Sequence, residues 1–159
     1  MRRPHARLTG FHCLFSNGRT SGISLPSADG QEMVIRKAMA KAGLDPDSIS
    51  YIECHGTGTK VGDAIEVEGL ARVFQRTCQD APLLIGAVKT NVGHSEAASG
   101  ISSIIKTTMA LERGQIPPTH GSKNINPKLK VDERDISIPT ELVAWPGAPS
   151  RVQRVGKYH

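Results

Sequence analysis

Two histidines stand in settings that suit chemistry. His55 lies in Tyr51-Ile52-Glu53-Cys54-His55-Gly56-Thr57-Gly58-Thr59, and His94 in Val88-Lys89-Thr90-Asn91-Val92-Gly93-His94-Ser95-Glu96. Each follows an apolar strand-like run and precedes a helix-like segment, and such turns at one edge of an α/β sheet are where these folds build sites. Two neutral imidazoles brought together there can donate N–H bonds to one developing oxyanion. A thioester carbonyl gains that charge when an attached malonyl group loses carbon dioxide and becomes an enolate. Losing one such donor typically costs about 3–4 kcal/mol of barrier lowering. Lys89, five residues before His94, is a cation of the kind that keeps an imidazole neutral by like-charge repulsion. Glu96 is placed to hold Lys89 or a water. Thr57 and Thr59 offer hydroxyls to an amide-rich substrate arm, and Gly56 and Gly58 let backbone approach a ligand. Taken singly, each feature has a plainer reading. A histidine at a strand end is usually structural, His55-Gly56-Thr57-Gly58-Thr59 lacks the lysine of a P-loop, and a lone lysine is usually solvated.

The elements that must position these residues follow from periodicity. Ser27-Ala28-Asp29-Gly30 leads into a helix striped by Val34, Ile35, Ala38, Met39 and Ala42 and stopped by Gly43. Asp45-Pro46-Asp47 makes a turn, and residues 49–54 read as a strand. Asp63 with Glu66 three residues on predicts a capping-box start to a helix lined by Ala64, Val67, Leu70, Ala71 and Phe74. Asp80-Ala81-Pro82 breaks it. Residues 83–88 form a continuous apolar run, as a strand buried on both faces would. A long helix is predicted over 96–113, with Ala97, Ile101, Ile104, Ile105, Thr108 and Leu111 as its core stripe and Gly114 as its stop. Pro117-Pro118 and Asn126-Pro127 mark loops, 135–138 a short strand, and Trp145-Pro146-Gly147 an irregular end. Alternating helices and strands predict a layered α/β domain. The domain reading is an irregular basic segment 1–16, a domain over 17–146 and an irregular basic tail 147–159.

Composition excludes several classes. The chain has 159 residues, 38% hydrophobic, with mean hydropathy −0.28, which suits a soluble domain with a core of its own. No apolar run nears the ~20 residues that span a bilayer, and no apolar stretch follows the basic start, so a membrane or secretory role is not expected. The pI of 9.3 comes from the ends: Arg2, Arg3, Arg7, Arg151, Arg154 and Lys157. Between them acids and bases nearly balance, and aromatics are 4%, which argues against nucleic acid. Cys13, Cys54 and Cys78 show no paired spacing and read as reduced thiols. His5, His12 and Cys13 find no second ligand pair at zinc spacing, so no metal is expected. The expected location is cytoplasmic.

Together, ordered segments from Asn17 to Trp145 resemble the C-terminal half of a β-ketoacyl synthase, in the style of fungal type I polyketide synthases. The matching stretches include NGRTSGISLPS, YIECHGTGTKVGDAIEVEGL, LLIGAVKTNVGHSEAASGISSIIKTTMALERGQIPP, NINPKL and ISIPTELVAWP. The resemblance implies a layered thiolase-like half-domain, a mixed sheet with packed helices, incomplete by itself. It implies that His55 and His94 are the paired active-site histidines, with Lys89 and Glu96 as supporting groups. Thr57 and Thr59 would meet a phosphopantetheine arm carried by an acyl carrier protein, with no cofactor bound directly. Further expected partners are the N-terminal ketosynthase half and a second copy in a homodimer.

The family forms its acyl-enzyme on a cysteine in a TACSS-like context in the N-terminal half. None of the three cysteines here has that context, and Cys54, one residue before His55 on a strand, should face away from it. After Arg154-Val155 the sequence reads Gly156-Lys157-Tyr158-His159, where the family has a Ser-Phe-Gly segment. The first reading is thus a truncated condensing enzyme that supplies the His/His/Lys part of a decarboxylative Claisen site. The alternative is a non-catalytic binding module that keeps the thiolase-like fold. Incubated with an acyl-carrier thioester, the chain alone should acquire no covalent acyl group by intact mass; a stoichiometric adduct on Cys13, Cys54 or Cys78 would overturn this expectation.

Overall fold

The computed structural model describes residues 27–75, 81–121, 124–146 and the strand 154–157. The readings of segment 1–16, Cys13, Cys78, Asp80 and most of the tail, and most of the stretch NGRTSGISLPS, fall outside the described residues. The Ser27 hydroxyl accepts the Gly30 N–H at 3.2 Å and opens helix α1 (Ala28–Ala42), which Gly43 closes in the left-handed conformation. An Asp45 carboxylate oxygen accepts the Asp47 N–H at 2.9 Å and turns the chain into strand β1 (Ile49–Glu53). Helix α2 (Gly62–Val73), strand β2 (Leu83–Gly86), the single-turn helix α3 (Lys89–Val92) and helix α4 (Ser99–Arg113) follow. Strands β3 (Gln115–Ile116), β4 (Ile136–Ser137), β5 (Val143–Ala144) and β6 (Arg154–Lys157) complete the described elements.

The main sheet has the order β4-β2-β1-β6, parallel at every pairing, and β3 with β5 forms a separate antiparallel pair. β1 and β2 lie side by side with Tyr51 opposite Leu84 and Glu53 opposite Gly86, so both strands deliver the chain to the same sheet edge. One face of the sheet is covered by α1 and α2, through a core that includes Ile35, Ile52, Leu70, Phe74, Leu83 and Ile85. The other carries Tyr51, Ala110, Ile116 and Trp145. Alternation along β1 sends Ile52 and Cys54 to the first face and Tyr51 to the second.

Five expectations need correction. Asp63 and Glu66 form no capping box. The Thr59 hydroxyl accepts the Gly62 N–H at 3.2 Å, one turn earlier, and both carboxylates reach back into the preceding loop. The apolar run 83–88 is strand only to Gly86, because its last residues curl into α3, which the periodicity gave no sign of. Trp145 opens no irregular end. It is buried, donates its indole N–H to the Ser50 hydroxyl at 3.2 Å, and meets Tyr51 edge-on at 5.5 Å between ring centres. Within the segment read as an irregular tail, residues 154–157 pair with β1; the parallel ladder there needs backbone, not an apolar pattern.

The fifth correction concerns α4. Its isoleucine stripe was expected to face the core, yet Ile101, Ile104 and Ile105 are more than half exposed and Met109 is also exposed. The buried side is Ser99, Ser103, Thr107 and Ala110. That side can be buried because its hydroxyls bond to their own helix: Ser103 to the Ser99 carbonyl at 3.0 Å and Thr107 to the Ser103 carbonyl at 2.8 Å. Small residues let α4 lie close to the sheet, and the larger apolar face is left outward. An exposed apolar stripe of this kind drives association. The double substitution Ile104→Lys/Ile105→Gln should shift the chain toward monomer in size-exclusion chromatography with light scattering. Its unfolding free energy should change by no more than about 0.5 kcal/mol, since no core contact is removed.

Candidate active site

The first histidine turn is held by a buried acid. Glu66, in the second turn of α2, accepts the backbone N–H groups of His55 at 2.6 Å and Gly56 at 2.9 Å, one on each carboxylate oxygen. Burial, with the Asp63 charge, raises the Glu66 carboxyl above its ordinary range, and the two N–H bonds and the nearby Lys89 charge offset only part of that rise. Asp63 similarly accepts the Gly58 N–H at 3.2 Å. Gly56 is required where it stands: its φ is 49°, and a Cβ there would come within 2.4 Å of the Ala87 Cβ. The β1–α2 turn therefore presses directly against the end of β2. Thr57 and Thr59 lie exposed on the outer part of this loop.

The second turn begins at Val88, whose N–H is accepted by Glu53 Oε1 at 2.6 Å. Lys89 opens α3 and is only 7% exposed; its Nζ has no hydrogen-bond partner among the described residues. Glu66 is the acid that feels its charge, but both Glu66 oxygens are taken by backbone. Gly93 bends the chain out of α3 to His94. His94 Nδ1 accepts the Glu96 N–H at 2.9 Å. In the neutral ring the proton therefore sits on Nε2, which makes that atom a hydrogen-bond donor. Glu96 adopts a left-handed φ of 46° in making this bond.

The two imidazoles come together at 5.6 Å between ring centres, edge to face at 87°. His55 is half-buried and His94 is about one-third exposed, so the site is open on the His94 side. Glu96 does not hold Lys89. Its side chain is nine-tenths exposed and lies 3.9 Å from His94 Nδ1, because the Gly93 bend turns it to solvent while Lys89 faces inward. Cys54 packs into the α1–α2 core, away from the histidines. Among the described residues no group of side chains is arranged to hold a metal ion, and no helix is long and apolar enough to cross a membrane.

Sequence reading missed Glu53, Glu66 and Lys106. The signal was there for two of them: an acid in the apolar run 51–54 and a lysine within the Ile104–Ile105 stretch, both costly to bury unless paired. Glu66 was legible only as a capping residue, and its true partners lie ten and eleven residues back.

A parallel sheet thus delivers two histidines, a buried lysine and glycine-loosened loops to one edge of an α/β domain. The family profile described as "Beta-ketoacyl synthase, C-terminal domain" matches residues 5–123, and the chain belongs to that family. It is 76% identical over 141 residues to a highly reducing polyketide synthase of Penicillium roqueforti, covering 89% of this chain and 7% of that protein. It is 68% identical over 131 residues to one from Neurospora crassa, covering 82% of this chain and 6% of that protein. Among solved structures it superposes on ketosynthase twelve of the bacillaene polyketide synthase from Bacillus amyloliquefaciens. The TM-score is 0.81 and the identity 32%, covering 89% of this chain and 25% of that one. Two structures of the module 6 ketosynthase of the Bacillus subtilis bacillaene synthase give TM-scores of 0.79 and 0.80 at 36% identity, each covering 87% of this chain and 26% and 25% of theirs. The chain thus corresponds to the C-terminal part of a ketosynthase domain and spans a small fraction of the polyketide synthases it matches.

Burial raises the Cys54 thiol well above its ordinary range, and burial followed by the Glu53 charge raises the Tyr51 phenol. In the unfolded chain these groups ionise near about 8.5 and 10, whereas the folded chain keeps both protons. Stability from them is complete below those values and falls as pH rises through them, by up to about 1.4 kcal/mol per pH unit for each group. Urea unfolding from pH 7 to 11 should show that decline, and Cys54→Ala should move its onset upward, toward pH 10. A flat profile would contradict the burial of both groups.

Proposed function

We propose that this chain supplies the histidine–histidine–lysine portion of a decarboxylative Claisen condensation site, as part of the ketosynthase domain of a highly reducing polyketide synthase. The observation that carries the reading is the pairing of His55 and His94 at 5.6 Å with His94 Nδ1 occupied by a backbone N–H. That leaves Nε2–H of His94 to donate to an oxygen placed between the rings. In the proposed step a malonyl thioester breaks its bond to the carboxylate carbon, and carbon dioxide leaves. The bonding electron pair moves onto the thioester oxygen as an enolate, which the imidazole donors stabilise. The enolate carbon then attacks an acyl thioester carbonyl and expels a thiolate.

Lys89 supports this chemistry as a buried ammonium beside the second turn, with its hydrogen-bonding capacity uncommitted among the described residues. Glu96 orients His94 through its backbone N–H rather than through its carboxylate. Thr57 and Thr59, exposed on the glycine loop, are the proposed contacts for the phosphopantetheine arm of an acyl carrier protein. The nucleophilic cysteine is assigned to the N-terminal half of the ketosynthase domain. The outward isoleucine face of α4 is a surface for that half, and the family likeness supports assembly as a homodimer.

Complementation tests the reading. An N-terminal ketosynthase half carrying the cysteine is mixed with this chain or with its His94→Ala variant. Wild-type mixtures should condense, and His94→Ala should lower condensation by about 10²-fold or more while cysteine acylation stays measurable. Equal condensation by both would make His94 structural.

A further inference from the structure

Glu53 and Lys106 take no part in the chemistry above, yet they form the most deeply buried ionic contact among the described residues. Glu53 is fully buried, and Lys106 is partly buried with 14% of its side chain exposed. Glu53 Oε2 accepts the Lys106 ammonium at 2.5 Å and the Tyr51 hydroxyl at 2.6 Å, and Lys106 also bonds to the Tyr51 oxygen. Glu53 Oε1 accepts the Val88 N–H at 2.6 Å. We propose that Glu53 and Lys106 are positioning residues for the second histidine turn. Lys106 fixes the carboxylate, the carboxylate fixes the Val88 amide, and Val88 sets the start of α3. That helix carries Lys89 as its first residue and delivers His94 two residues past its end.

Three observations support this. A buried ion pair is weak as a source of stability, because desolvation offsets the attraction, and an apolar pair of the same volume fills space as well. What an apolar pair cannot supply is an acceptor for Val88 N–H, which among the described residues bonds to Glu53. Secondly, β2 makes room for the network at Gly86: a Cβ there would come within 2.6 Å of the Tyr51 hydroxyl and 3.1 Å of the Thr119 hydroxyl. Thirdly, the first turn is held in the same manner, by Glu66 on the His55 and Gly56 amides. Each histidine turn thus has one buried carboxylate on its backbone. Glu66 is the simpler case, and Glu53 differs in being locked by a lysine from the opposite layer.

The role matters for catalysis only if His94 is the donor proposed above, but it is measured separately, on the intact 159-residue chain by NMR. The readouts are Val88 amide exchange, the His94 imidazole nitrogen shifts that report its tautomer, and the cross-peaks between the His55 and His94 rings. In Lys106→Met, Val88 exchange should rise about tenfold or more relative to core amides such as that of Leu70. His94 should lose its single Nε2–H tautomer and the ring cross-peaks should weaken. Lys106→Arg should restore all three, as a merely space-filling lysine would not require. A folded Lys106→Met with wild-type Val88 exchange and His94 tautomer overturns the proposal. Should Lys106→Met unfold, the charge-free double variant Glu53→Gln/Lys106→Met decides: a folded protein with a loosened second turn supports the role. A wild-type turn in the double variant, or failure of the double variant to fold, assigns the pair to core stability and overturns it. Failure of the condensation assay would leave these readouts untouched.

Discussion

The structure depends most on carboxylates that end their hydrogen bonds on backbone amides at the carboxyl edge of the sheet. Parallel strands leave the N–H groups of the turns that follow them without ladder partners, and buried amides need acceptors. Glu66 supplies two acceptors to the turn after β1, and Glu53 supplies one to the turn after β2. Because β1 and β2 are adjacent, both clamps act within one small volume, and the Gly56–Ala87 contact joins the turns they hold. The 5.6 Å separation of the imidazoles follows from this arrangement.

α4 gives the domain its second character. Most amphipathic helices bury their large apolar side. This one buries serine, threonine and alanine and presents isoleucine outward, because hydroxyls that bond to the preceding helical turn bring no unsatisfied group into the core. The small inward face lets Lys106 reach across to Glu53 from mid-helix. The same choice of residues thus brings α4 close to the histidine edge and leaves an apolar surface on a chain that corresponds to part of a ketosynthase domain.

Much of this was legible in the residues. The helix-strand alternation, the helix start at Ser27, the Gly43 and Gly114 stops and the two histidine turns followed from local signals that act within a few residues, and the family from the resemblance of ordered motifs along most of the chain. What was not legible depended on tertiary direction. Periodicity found the isoleucine stripe of α4 but not which side it faced, since an apolar stripe marks a surface to be covered and not by what. The Asp63–Glu66 spacing was read as a cap because short-range rules cannot see that a carboxylate one turn into a helix has free amides beside it from the preceding strand. Trp145 followed a turn-rich stretch, and only the Ser50 and Tyr51 contacts explain its burial. At the site, residue types revealed the histidines and Lys89, while Glu53 and Lys106 needed coordinates to be seen as a pair.

The pairing of β1 with β6 has a consequence for how the chain acquires its shape. β1 is a central strand, but one of its two neighbours lies about a hundred residues further along, a separation whose closure entropy must be met before the ladder returns anything. β1 and β2, bridged by α2, can zip first as a local unit, and α4 can dock on it with its hydroxyls already satisfied. During synthesis from the amino end, β1 therefore keeps one open edge beside the first histidine turn until residues 154–157 have left the ribosome. Contacts of such long range slow folding. The order of events is built into the strand order: the histidine edge forms early, and its flank is sealed late.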